Sequence, residues 1–157
     1  MHFVFLTIDI IYITITKSKL NMLFKSIETE ISFNLLIWGL CSMVGGITFI
    51  LFENSFMNAI GFQFIIWGLI DSLIAIGPGI YRWIRNHEHI ENLKKLKKIL
   101  IVNAILDIGY VIIGFIIFIG FFEINQYNGH GLGVIIQGAF LAVFDTYYAI
   151  KIISKGF

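Results

Sequence analysis

Apolar residues fill four stretches of the chain, about 33–52, 58–80, 100–122 and 132–153, and short polar segments separate them. A helix needs about 20 mostly apolar residues to cross the hydrocarbon core of a bilayer, so each stretch predicts one spanning helix. The polar residues within and beside these stretches recur at helical rather than alternating intervals. Gln63, Trp67 and Asp71 are spaced i, i+4, i+8, and Gln137, Leu141 and Asp145 repeat that spacing. Asn103, Asp107, Tyr110 and Gly114 follow i, i+4, i+7, i+11. Each set lies along one helical face, so the polarity is predicted to point toward other helices and away from lipid.

The second and fourth stretches share more than spacing. Gln63, Asp71, Ser72, Ala75 and Ile76 form Q-x7-D-S-x-x-A-I, and Gln137, Asp145, Thr146, Ala149 and Ile150 form Q-x7-D-T-x-x-A-I. Laying Asn34 on Asn103 aligns the first and third stretches, places Gly45 on Gly114, and brings Glu53 and Glu123 to the ends of the two runs. The expected fold is therefore all-α and integral to the membrane, with four transmembrane helices arranged as two parallel tandem-repeat hairpins. Halves of the same orientation would be related by a pseudo-two-fold axis along the membrane normal. Beside the polar face runs a stripe of small residues, Gly68, Ser72 and Ala75 in one copy and Gly138, Ala142 and Thr146 in the other. Such stripes let helix backbones approach in lipid, where no hydrophobic force draws helices together.

Composition agrees with the bilayer as solvent. Of the 157 residues, 58% are hydrophobic and 13% charged, too few to give a core of this size a polar surface. Net charge is only +1, and its distribution carries more information than its sum. Lys17, Lys19 and Lys25 precede the first span, Arg82, Arg85, Lys94, Lys95, Lys97 and Lys98 join the second to the third, and Lys151 and Lys155 close the chain. The segments around 53–58 and 123–133 hold no Lys or Arg. The positive-inside rule then places both termini and the central loop in the cytoplasm of a multi-pass cell-membrane protein.

Residues 1–21 are set apart from the membrane domain at 22–157. They are β-branched, short for a span, and interrupted by Asp9. No basic n-region precedes them and no small-residue cleavage site follows, which argues against a secretory signal. An interfacial segment or an upstream extension with the working start at Met22 is the expectation, and a fifth span is the alternative. Residues 26–30 form a polar lead-in to the first span.

A carboxylate at bilayer depth costs roughly 2.5–3.5 kcal/mol on insertion scales, so Asp71, Asp107 and Asp145 need an explanation. Only Lys151, in the last turn of the fourth predicted span, is basic within the four stretches, so the aspartates have no cation at their own depth, and desolvation and mutual repulsion both favour the neutral acid. Neutral aspartates make interhelical hydrogen bonds worth about 0.6–2 kcal/mol. They also exchange protons or cations when they line a polar cavity. Gly77-Pro78-Gly79 is expected to break the second helix early, drawing all three acids toward the cytoplasmic half, and Tyr147 or Tyr148 is placed to cap one of them. The predicted polar intramembrane site comprises Asp71, Asp107, Asp145, Gln63, Gln137, Asn34, Asn103 and Tyr110.

Other chemistry finds little support. His87-Glu88-His89 lacks the H-E-x-x-H spacing of a zinc protease, and Asn128-Gly129-His130-Gly131 reads as a glycine-rich outer turn without the lysine of a phosphate loop. A single cysteine, Cys41, excludes an internal disulfide and any CxxC motif. Neither enzymatic activity, a metal, a cofactor nor nucleic-acid binding is expected. Lysines in the 82–98 loop would attract anionic lipid head groups at about 1 kcal/mol each.

Trp67-Gly68-Leu69-Ile70-Asp71, Gln137-Gly138 with Leu141 and Asp145, and the pair Asn34 and Asn103 carry a resemblance. From about Met22 to Ile153 the chain resembles small uncharacterised four-span membrane proteins of bacteria and archaea, grouped as a domain of unknown function. The resemblance implies four helices and no activity. Small multidrug transporters are similar in span count only, since their key acid is in the first span and none stands here between Asn34 and Leu51. The expected function is that of a polytopic membrane protein with a buried Asp/Asn/Gln layer, a small proton- or cation-linked carrier or pore. The alternative is a non-transporting subunit, or a homo-oligomer, that uses the polar face for association.

Overall fold

The computed structural model describes residues 2–85, 93–120 and 125–156. Four helices account for nearly all of them: α1 (His2–Ile50), α2 (Ser55–Arg85), α3 (Leu93–Ile119) and α4 (Asn125–Ile153). Each contains a segment long and apolar enough to cross a membrane: Thr14–Ile50, Ser55–Tyr81, Leu93–Ile119 and Gln126–Ile153. Between 22% and 39% of each apolar window is buried inside the protein. The remaining surface is hydrocarbon, as at Val44, Leu73, Ile105, Ile112 and Val143, and such a surface requires lipid.

Local chemistry sets the helix ends. Asn54 caps α2, its Oδ1 accepting from the backbone N–H of Phe56 at 2.9 Å and of Met57 at 3.3 Å. Gly120 follows α3 with φ of 84°, and Gly156 follows α4 with φ of 87°, the left-handed conformation common just past a helix C-terminus. α1 runs unbroken across residues 22 and 26–30, so the polar lead-in is part of the same helix as the first span.

Two expectations about helix limits are corrected. α2 does not end at Gly77-Pro78-Gly79 but continues through Pro78 to Arg85. Proline removes one N–H from the ladder, whereas ending the helix would free several polar backbone groups near the bilayer. His130 is likewise in α4 and not in a loop, because α4 begins at Asn125. Its flanking glycines serve contact, since a Cβ on Gly131 would come 2.7 Å from the Gly114 carbonyl and 2.5 Å from the Phe118 nitrogen.

The most extensive packing is α1 on α2 and α3 on α4, and α2 on α4 joins the two pairs. Glycine makes the first of these possible. A Cβ on Gly68 would stand 2.5 Å from the Gly39 carbonyl, so the two backbones touch there. Phe24, Ile27, Leu93, Leu100, Tyr148 and Ile152 form the main apolar cluster at one end of the bundle. Leu35, Ala75 and Leu141 form a second, smaller cluster.

Candidate functional site

The acids of α2, α3 and α4 converge. Asp71, Asp107 and Asp145 are all buried and line one cavity of about 250 Å³, together with Asn103, Trp67 and Tyr110. They lie close enough to interact electrostatically with one another. Asn103 and Asp145 both line this cavity. Among the described residues, Asp71 Oδ2 and Asp107 Oδ2 are buried with no hydrogen-bond partner. A polar atom left so in an apolar interior is costly, and such atoms are rare in native structures.

Trp67 and Tyr110 meet edge to face in the cavity wall, ring centroids 5.2 Å apart at 71°. Asp145, Asn103, Leu35 and Ile74 also line a second, larger cavity of about 430 Å³. Its walls are mostly hydrocarbon, with Phe24, Leu100 and Phe144 among them, and Glu28 and Lys95 add charge. Within the described residues, no three acidic, histidine or cysteine side chains converge closely enough to hold one metal ion.

The remaining residues of the predicted layer go elsewhere. Gln137 is completely buried, accepting from Trp38 Nε1 at 2.9 Å and donating to Ser42 Oγ at 3.1 Å. Gln63, its repeat counterpart, contacts His130 Nδ1 at 3.0 Å toward the opposite end of the bundle from the acids. Asn34 donates to the Tyr148 hydroxyl at 2.7 Å. That hydroxyl donates to Glu30 at 3.4 Å, a long bond, and Lys151 donates to both Glu30 oxygens at 2.6 and 2.7 Å. Tyr148 therefore caps no aspartate, and exposed Tyr147 lies against Lys151. Among the small residues, Gly68, Ser72, Ala75 and Gly138 are buried, Ala142 is half-buried and Thr146 is exposed.

Trp38, Ser42, Glu30 and Lys151 were not singled out by the sequence. Their signal was present in part, because Asn34, Trp38 and Ser42 follow i, i+4, i+8, the spacing of Gln63, Trp67 and Asp71. The 87–89 His-Glu-His segment lies outside the described residues.

Fold and site together define a multi-pass helical membrane protein with a buried polar hydrogen-bond network and a separate cavity of buried acids. Residues 34–146 match DUF6992, a family of unknown function, and the chain belongs to that family. The matched region begins at Asn34 and ends one residue beyond Asp145, so it contains all three cavity acids. No curated protein and no solved structure matches the chain.

Proposed function

We propose that this protein is a small proton- or cation-linked carrier or pore whose working groups are Asp71, Asp107 and Asp145. The observation that carries this reading is the pair of unpartnered oxygens, Asp71 Oδ2 and Asp107 Oδ2, on buried acids that line a cavity. A purely structural layer would satisfy its acids, as the Gln137 layer satisfies its amide. An exchanging proton or cation supplies the missing partner. Both termini and the 82–98 segment face the cytoplasm in this reading, on the positive-inside rule. The two hairpins act as tandem repeats about a pseudo-two-fold axis, and Lys94, Lys95 and Lys98 at the start of α3 meet anionic head groups. Substrate passage requires no enzymatic step.

The test is reconstitution. Purified protein in liposomes dissipates an imposed proton or monovalent-cation gradient faster than empty liposomes. Absence of any flux above that baseline would discard the carrier.

One observation favours a second reading, association with another membrane protein or a second copy. An apolar groove of about 300 Å³ lies between α1 and α4, with Asn34 and the exposed Tyr147 among its lining residues. Co-purification of a stoichiometric membrane partner, together with silent flux, would select this reading.

A further inference from the structure

The larger cavity is apolar where a bare ion would need oxygen. Phe24, Ile31, Leu35, Leu100 and Phe144 wall it, and its volume of about 430 Å³ falls in the usual range of small-molecule sites. It shares Leu35, Ile74, Asn103 and Asp145 with the acid cavity, so hydrocarbon walls lead directly onto carboxyl groups. Asp71, Asp107 and Asp145 line the two cavities, and a cation entering beside them favours their ionised form. Asp71, 2% exposed, and Asp107, 6% exposed, each hold one oxygen without a partner among the described residues.

These features select among cations. A compact metal ion is bound by several converging oxygens, and the described acids do not converge in that way. An organic cation with a hydrocarbon body gains from the apolar walls and loses less on leaving water, because its charge is diffuse and weakly hydrated.

Resting on the carrier reading above, we infer that the joined cavities bind an amphipathic organic cation, its apolar body between α1, α2 and α3 and its charged end toward Asp145 and Asp71. The site is lined by all four helices and shares Phe144 with the α1–α4 groove.

Equilibrium dialysis of radiolabelled tetraphenylphosphonium against the protein in lipid nanodiscs, with empty nanodiscs subtracted, tests it. Saturable 1:1 binding is expected, and tetraphenylborate, of similar body and opposite charge, should show none. Asp145→Asn should weaken binding roughly tenfold or more. Ile74→Trp should do the same by filling the shared wall, and because Ile74 is 59% exposed this variant keeps the fold. Thermal melting verifies folding of both variants. No saturable binding, equal binding of the anion, or wild-type binding by Ile74→Trp would overturn the inference. Proton flux sensitive to the aspartates without tetraphenylphosphonium binding would sink this ligand class and leave the carrier. Binding without flux of any kind would leave the site and sink the carrier.

Discussion

Trp38 Nε1 donates to Gln137 Oε1 at 2.9 Å, a bond between α1 and α4 made by residues 99 positions apart. The same indole stacks on Phe140, ring centroids 3.6 Å apart and nearly parallel at 7°. Gln137 spends its other end on Ser42 Oγ, so this layer is satisfied on both sides. It holds α1 to α4 although α1 packs most extensively on α2.

Gln137→Leu keeps the bulk of the side chain but leaves the Trp38 N–H without its acceptor and the Ser42 hydroxyl without its donor. Loss of stability is expected at about 1–2 kcal/mol, the range for interhelical hydrogen bonds in membranes. Trp38→Phe retains a ring for the Phe140 stack and loses one bond, so it should cost less. Unfolding in a titration of denaturing detergent measures both. Equal stability of wild type and Gln137→Leu would show that the layer contributes nothing.

Two glycines give a matched pair. A Cβ on Gly39 would collide with the Ser72 hydroxyl and the Gly68 carbonyl, whereas one on Gly109 meets nothing within 4 Å. Gly39→Val should therefore separate α1 from α2 and destabilise by about 1–3 kcal/mol, as overpacked sites do. Gly109→Ala should be neutral or stabilising by up to about 1 kcal/mol, because alanine favours the helix. Melting temperatures in one detergent decide; a reversed order would refute the packing.

The Glu30–Lys151 ion pair is partly exposed, so salt screens it. Glu30→Gln should lower the melting temperature slightly at low ionic strength and not at all in about 1 M salt, where the Debye length is near 3 Å. A salt-independent difference would assign the effect to the Glu30–Tyr148 hydrogen bond instead.

The four long apolar helices are legible from the sequence because each is a run of apolar residues of membrane-crossing length. So is the convergence of Asp71, Asp107 and Asp145, since each lies on the polar face of its own helix. What each polar group bonds is less legible. Gln63 and Gln137 occupy equal repeat positions, yet one meets His130 and the other Trp38 and Ser42. Repeat position fixes depth along a helix, and the neighbour across the interface fixes the partner. Tryptophan reads as apolar in a hydropathy pattern, which conceals the one N–H that makes Trp38 a donor. Pro78 misleads for a different reason: helix-breaking rules come from water, and in lipid the backbone has no other partner.

The role of the acid cavity is tested by the initial rate at which reconstituted protein collapses an imposed pH gradient, compared among wild type, Asp71→Asn, Asp107→Asn and Glu30→Gln. Measurable flux is expected in wild type and Glu30→Gln, with a fall of roughly tenfold or more toward the empty-liposome rate in both aspartate variants, since removing a transferring group costs that much or more. Folded Asp71→Asn and Asp107→Asn proteins that conduct at the wild-type rate would contradict it.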